Sequence, residues 1–417
     1  MKEKYLIINA GSSSLKFSLY EMPGNTEIVN GYFEKIGKED SFYTLKFSGE
    51  KADIIKEVKT HTDAVRIMLD ELIQRGFVSS LDEIAGVGHR VLHGGELYSE
   101  SVVIDNKVLE DIEKLTKLGP LHHPGEIAGI KSMMEVLPNV SQVAVFDTAF
   151  HQTIPEENYM YAVPYDWYTQ DGVRKYGFHG TSHKYITEKM QEYYNKQDVN
   201  LIICHIGSGA SISCIKDGKC FDTSMGLTPL DGLVMGTRCG SIDPSIIQYI
   251  AKERNLSIDQ ITSILNKESG LIGVCGQNDN RDIEKLIRQG DEKAILAMNL
   301  LKHSIVRYIS QYYVELDGKV DSLVFTAGIG ENGTIMRALV VNDISKALHV
   351  GLNKEENECI AKARTKREGK ISTDDSSFDI FVIPTDEEYI ILKDTVDLVK
   401  KTKNIDTKVL NYKMPNE

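Results

Sequence analysis

Arg90 and Arg238 each end an apolar or glycine-rich segment, at residues 84–92 and within residues 222–244. A solvated surface arginine is unexpected in either place. A guanidinium offers a fixed fork of donors matched to carboxylate or phosphate; the alternative for either residue is an ion pair between domains. His122 and His179 lie in small-residue or aromatic loops, where a histidine is either a hydrogen-bonded structural group or a catalyst. Asp147 closes an apolar run and Glu387 stands near the start of a late helix. Both are candidate magnesium anchors, direct or through water, because Mg²⁺ is usually held by few carboxylates plus substrate phosphates. For Glu387 there is a second reading, since an acid in a first helical turn is stabilising without any metal. His122-His123 and His179/His183 lack the carboxylate spacing and neighbouring thiolates of a transition-metal site. The set points to chemistry on anions.

Backbone must supply the rest. Tyr5-Leu6-Ile7-Ile8 is a short apolar run, the pattern of a strand buried on both faces. Asn9 to Ser14 are all small, so backbone can approach a ligand closely and offer N–H groups to an anion. From Leu15 the pattern alternates, with Leu15, Phe17 and Leu19 on one face and Lys16 and Ser18 on the other. A hairpin with a donor-rich tip and Lys16 just beyond it suits phosphate. Residues 201–215 repeat the plan around Gly207-Ser208-Gly209. The repeat is one of pattern rather than sequence, and suggests two related domains with one ligand between them; two unrelated hairpins are the alternative. Gly328-Ile329-Gly330-Glu331-Asn332, between a strand and a helix, is either a phosphate loop or a simple tight turn. It lacks the third glycine of a dinucleotide fingerprint and the lysine of a P-loop.

Between these stretches, strands alternate with helices, as in an α/β protein. Helical spacing is evident over 63–76, over 108–118 and from about 125 to 136; strands are expected over 31–48, 84–92 and 142–146. Pro155 and Pro164 bracket an aromatic, loop-like connection. Residues 222–244, rich in glycine and hydroxyls, read as a shaped loop surface. Helices follow over 245–254 and 291–316, and strands over 321–327 and 379–384. The last helix starts Thr385-Asp386-Glu387-Glu388, where Thr385 and Glu388 match a capping box.

The length, 417 residues, accommodates two domains. A net charge of −13 argues against a nucleic-acid or anionic-membrane surface, so anionic substrates would need a local cluster of cations. No apolar run reaches a membrane span and no signal peptide is evident, which points to the cytoplasm. The six cysteines have no CxxC spacing and read as reduced thiols.

Read together, several stretches resemble the signature motifs of acetate kinase: Asn9-Ala10-Gly11-Ser12-Ser13-Ser14-Leu15-Lys16-Phe17, His89-Arg90-Val91-Leu92-His93-Gly94-Gly95-Glu96, Phe146-Asp147-Thr148-Ala149-Phe150-His151 and Tyr176-Gly177-Phe178-His179-Gly180-Thr181-Ser182-His183. Asp222-Thr223-Ser224-Met225-Gly226, Met235-Gly236-Thr237-Arg238, Phe325-Thr326-Ala327-Gly328-Ile329-Gly330-Glu331-Asn332 and Thr385-Asp386-Glu387-Glu388 follow in the same order. The resemblance spans Asn9 to about Lys393. It implies an α/β fold of the actin/Hsp70/sugar-kinase (ribonuclease H-like) type, with duplicated βββαβαβα-type domains and an interdomain cleft. The first domain would be residues 1–150 plus a returning helix, 385–401, the second 151–384, and 402–417 a polar tail. It implies ATP/ADP with Mg²⁺, or Mn²⁺ in its place, acetate as acceptor, acetyl phosphate as product, and a homodimer. By resemblance, Asn9 and Glu387 are the metal residues, Lys16 a phosphate-side contact and Arg90 the carboxylate-binding arginine. His179 and Arg238 would stabilise the transferring phosphoryl, with His122 another cleft histidine. His205, Ile206, Gly207, Ser208 and Gly209, then Asp279, Asn280 and Arg281, then Gly328, Ile329, Gly330, Glu331 and Asn332 would contact the nucleotide.

Three departures from the family pattern stand out. Ser208 replaces an asparagine, Ser241 an aspartate, and His123-Pro124-Gly125-Glu126 follows His122 where Asn-Pro-Ala-Asn is usual, a change expected at the cleft rim. A carboxylate acceptor, with a pKa of about 4.3, is already ionised at neutral pH and needs no general base. Asp147 would be a base in a sugar kinase; here its expected work is electrostatic. The rival readings are a propionate or butyrate kinase with a larger acyl pocket, a sugar kinase, and an actin- or Hsp70-like ATPase switch. The last leaves Arg90, His122, His179 and Arg238 without a task.

Overall fold

The computed structural model describes residues 3–362 and 368–403; beyond Lys403 the expected polar tail lies outside the described residues. The chain forms two compact units: Met1–Phe150 with the chain from Asp386 onward, and His151–Thr385.

In the first unit, strands β1 (Glu3–Gly11), β2 (Ser14–Met22), β3 (Thr26–Glu34), β4 (Phe42–Phe47), β5 (Glu50–Ile55), β6 (Ile84–Val91), β7 (Val102–Val103) and β8 (Ser141–Phe146) form one sheet in the order β5-β4-β3-β2-β1-β6-β8-β7. β3, β2 and β1 are antiparallel; β1, β6 and β8 are parallel. The apolar start of β1 is buried on both faces as its composition requires. Leu6 and Ile8 join Leu15, Phe17 and Leu19 in one core, with residues of helix α1 (His61–Gln74) and Met133 of α3 (His123–Val136). Tyr5 and Ile7 point the other way and pack on Ile391, Val396 and Val399 of the C-terminal helix Glu387–Thr402. Helix α2 (Asn106–Lys114) covers the far edge through Val108 and Ile112. Gly88 lets the C-terminal helix lie close on β6: a Cβ there would fall 2.2 Å from Thr395 Oγ1.

The second unit repeats the plan. Strands β9 (Leu201–Ile206), β10 (Ala210–Lys216), β11 (Lys219–Thr223), β12 (Ser322–Thr326), β13 (Gly369–Lys370) and β14 (Asp379–Val382) run in the order β11-β10-β9-β12-β14-β13. Again three antiparallel strands lead into two parallel ones. The two Gly-Ser tips, at Gly11-Ser12 and Gly207-Ser208, therefore occupy the same turn of two equivalent hairpins. No helix or strand interrupts the chain between Thr223 and Ser245, as expected of a shaped loop.

Two local expectations change. The segment bracketed by Pro155 and Pro164, expected to be loop-like, holds one short helix, Glu156–Tyr159, and a second, Tyr165–Asp171, starts directly after Pro164. The C-terminal helix is capped by Asp386, which accepts from Tyr389 N at 2.8 Å, and the Thr385/Glu388 box does not form. Thr385 is held elsewhere, its hydroxyl donating to Ser182 Oγ at 2.7 Å, while Glu388 accepts from the Tyr20 hydroxyl. Among the described residues no helix is long and apolar enough to cross a membrane.

Candidate active site

In the first unit the parallel strands β6 and β8 bring Arg90 and Asp147 side by side at their carboxyl ends. Arg90 Nε donates to Asp147 Oδ1 at 3.0 Å and Nη2 to Oδ2 at 2.7 Å, a bidentate fork. Asp147 is 1% exposed, whereas a quarter of the Arg90 side chain remains open. Glu387, the first residue of the C-terminal helix, places Oε2 3.6 Å from Arg90 Nη2. Burial pushes the Asp147 carboxyl up, and the Arg90 charge pulls it down; the fork geometry is that of an ionised pair. Asp147 in turn holds the guanidinium above its ordinary value, with Glu387 adding to the effect.

Asn9 lies directly opposite Lys16 in the β1–β2 register, which puts both side chains on one face of the hairpin. Lys16 is exposed, Asn9 partly buried. The tip between them is clasped from three sides. His61 Nε2 donates to Gly11 O at 2.8 Å, Ile36 N donates to Ser13 O at 2.9 Å, and α3 presses on it at Gly125. A Cβ on Gly125 would lie 2.3 Å from the carbonyl carbon of Gly11, so only glycine permits this approach. His122 stands exposed at the N-cap of α3. Of the His123–Glu126 stretch, His123, Gly125 and Glu126 are buried inside the unit and Pro124 is exposed.

The second unit gathers histidines and Arg238 around the other tip. His179 caps the helix Gly180–Tyr194 with φ of 58°, a left-handed conformation that a histidine adopts at a cost. Its Nδ1 lies 2.9 Å from Ser211 Oγ, and His183 Nε2 lies 2.8 Å from the same hydroxyl. A hydroxyl has one proton to give. If His183 Nε2–H donates to Ser211 and Ser211 O–H donates to His179 Nδ1, a neutral His179 carries its proton on Nε2. Burial lowers the pKa of His183 well below the ordinary value, consistent with a neutral ring there. His205 stacks on His179 with ring centroids 4.2 Å apart and bonds Ser182 Oγ through Nδ1 at 2.7 Å.

Arg238 Nη1 and His179 Nε2 lie 3.4 and 3.5 Å from the point where a Cβ on Gly209 would begin, so both converge on this tip. Arg238 is held by neutral groups, the Pro229 carbonyl at 3.3 Å and the Met235 sulfur at 3.8 Å. Among the described residues it pairs with no carboxylate. Ser241, at the position of the missing aspartate, donates to Asp231 Oδ1 at 2.6 Å.

A cavity of about 410 Å³ in this unit is lined by Gly207, Ser208, Asn278, Asp279, Asn280, Arg281, Gly328, Ile329 and Asn332. Three stretches distant in sequence thus meet in one place. His205, Ile206, Gly209, Gly330 and Glu331 do not line it: the Ile206 side chain is core, and Glu331 Oε1 accepts from Thr385 N. Ser208 keeps its backbone role, its carbonyl accepting from Gly236 N at 3.1 Å. Arg281 pairs with Asp279 and holds that carboxyl down at about 2.

The sequence reading missed the groups that hold these residues in place. Arg337 is fully buried, and its Nη1 donates to the carbonyls of Gly330 and Glu331 at 2.6 and 2.8 Å. Its signal was an arginine on the apolar stripe of Met336, Val340, Val341 and Ile344. Ser211 and His61 gave none, because their partners lie 32 and 50 residues away.

A family model described as the Acetokinase family matches residues 4–393. The chain belongs to the acetokinase family. Acetate kinase of Clostridium novyi (strain NT) is 46% identical over 403 residues, covering 95% of this chain and 99% of that one. The crystal structure of Porphyromonas gingivalis acetate kinase has a TM-score of 0.90 at 42% identity, over 95% of this chain and all of that one. A propionate kinase from Francisella tularensis subsp. tularensis SCHU S4 gives 0.89 at 40% identity, with the same coverage. The repeated sheet plan is thus that of an acetokinase, an α/β protein.

Among the described residues of this acetokinase, no three His, Cys, Asp or Glu cluster to hold a metal by themselves. Asn9 and Glu387 offer hard oxygen donors, and the Asn9 carboxamide makes no hydrogen bond among the described residues. Oxygen donors of this kind fit Mg²⁺ better than a softer ion.

Proposed function

We propose that this chain transfers the γ-phosphoryl of ATP reversibly to acetate, giving acetyl phosphate and ADP. The observation that carries the reading is the half-used fork of Arg90. Of an arginine's five N–H donors, Asp147 takes two, leaving three for an incoming carboxylate. Asp147 orients the guanidinium and has no proton to remove, since acetate arrives ionised. The 410 Å³ cavity, of ligand size, supports a nucleoside end rather than pyrophosphate as donor. Arg238, unneutralised, and His179, presenting Nε2–H, supply positive potential where phosphoryl charge develops. Asn9 and Glu387 would hold the magnesium ion, which when bound neutralises phosphate charge; Lys16 adds a further cation on the same hairpin.

Hydroxylamine trapping of acyl phosphate, with ATP and a panel of C2 to C4 acids, tests this. Acetate should give the highest kcat/KM. The Francisella likeness favours a second reading, propionate as the preferred acid, which the same panel decides. A higher kcat/KM for butyrate would reject the acetate assignment.

A further inference from the structure

Glu126 is a buried carboxyl that the proposed mechanism leaves unused. It sits in the first turn of α3, 6% exposed, with Oε1 and Oε2 3.1 and 3.2 Å from the backbone N of Leu92. Leu92 is the residue after β6, two beyond Arg90. No Lys or Arg pairs with Glu126 among the described residues. Its charged and titratable neighbours are His123, and next to that His122, on its own helix; Arg90 on β6; and Asp147 after β8.

His123 supplies this carboxyl with neither a hydrogen bond nor a positive charge. His123 Nδ1 lies 3.1 Å from the carbonyl of Ile112 in α2, and a carbonyl only accepts, so the proton of the neutral ring is on Nδ1. The Nε2 lone pair therefore faces Glu126 Oε2, 3.9 Å away, and has no hydrogen-bond partner. Burial keeps the imidazole neutral, pushing its pKa down. An ionised Glu126 would be a buried charge with no cation paired to it among the described residues, whereas a protonated carboxyl avoids that cost.

We propose that Glu126 is a positioning residue that carries a proton in the working enzyme, and that its ionisation cancels the attraction Arg90 offers to the substrate carboxylate. Arg90 already balances Asp147 and faces Glu387; a third carboxylate behind its strand leaves little positive potential for acetate. Burial lifts Glu126 to about 8, with the Asp147 charge adding to the rise, so the change falls just above neutral pH. Ionisation adds negative charge, so acetate binding weakens as pH rises through that value. The inference rests on the reading of Arg90 as the acetate contact.

Glu126→Gln keeps the shape, accepts from Leu92 N through its amide oxygen and turns an N–H toward His123. KM for acetate, measured from pH 6.5 to 9.5, should rise about tenfold in the wild-type protein, the worth of one pKa unit, and stay within about twofold in Glu126→Gln. KM for ATP should follow the same course in both proteins. An unchanged alkaline rise in Glu126→Gln, or none in the wild type, overturns the proposal. Infrared difference spectra provide a readout independent of activity. The wild type should show a protonated-carboxyl band at pH 7 that fades by pH 9.5 and is missing from Glu126→Gln, which separates it from Glu315, itself raised to about 7. A pH-invariant spectrum overturns the proposal, whereas a fading band with no acetate saturation at any pH removes the Arg90 reading instead.

Discussion

The two arginines of this protein are held in opposite ways. Arg90 is clamped by a buried carboxylate, with a second carboxylate 3.6 Å from its Nη2. Arg238 rests on a carbonyl and a thioether, and burial depresses its pKa with no anion to restore it. The hairpin tips differ likewise. The Gly11 tip is clasped by His61, Ile36 and Gly125, while the Gly209 tip opens toward Arg238 and His179. A clamped cation has fixed direction and modest net charge, which suits a small, singly charged acid. An uncommitted cation keeps its full charge, which suits a phosphoryl group gaining charge in the transition state.

If the clamp on Arg90 is what gives it direction, Asp147→Asn should break it most. Losing one member of a charged hydrogen-bonded pair costs about 1.5–3 kcal/mol, so kcat should fall roughly ten- to two-hundredfold. The shape of the kcat–pH profile between about pH 6 and 8 should not change; loss of its acid limb would show that Asp147 carries a proton, as a base would.

On the other side, Ser211→Ala removes the hydroxyl shared by His179 and His183. A lost hydrogen bond of about 1–1.5 kcal/mol predicts roughly a tenfold fall in kcat with KM for acetate little changed. Equal damage to KM would mean that His179 touches the acid, and the division of labour would blur.

The contrast between tips can be sharpened with two alanines. Helical Gly→Ala ordinarily gains up to about 1 kcal/mol. At Gly125 the clash with Gly11 backbone should override that gain and destabilise by about 1–3 kcal/mol, read as a lower Tm. The smallest effect is expected of Gly209→Ala, whose Cβ meets only ordinary contacts. Its Tm should match the wild type, and a fall as large as that of Gly125→Ala would remove the distinction.

The residues proposed to meet substrate carry local sequence signals; those that hold them in place do not. Arg90, His179 and Arg238 sit in local stretches whose composition marks them, and the repeated Gly-Ser tips announced two equivalent hairpins. Asp147 was placed correctly at a strand end, but its two bonds to Arg90 depend on β6 and β8 lying side by side, 57 residues apart in sequence. In the sequence Glu126 stands out only as part of a family departure expected at a cleft rim, and nothing local announces that the fold buries it against Leu92 N. The Thr385 box failed for a similar reason: Ser182, 203 residues away, takes the hydroxyl that local pattern assigned to the helix. Pattern reports periodicity and turns, whereas burial and long-range pairing decide which polar groups are committed.

The most direct test of the division between the arginines is steady-state kinetics of Arg90→Ala and Arg238→Ala, with acetate and ATP varied separately. Arg90→Ala should raise KM for acetate roughly ten- to two-hundredfold with the smaller effect on kcat. Arg238→Ala should lower kcat about 10²–10³-fold while KM for acetate moves less than threefold. If the two variants lose kcat and acetate affinity in the same proportion, the arginines share one task and the assignment of separate roles is wrong.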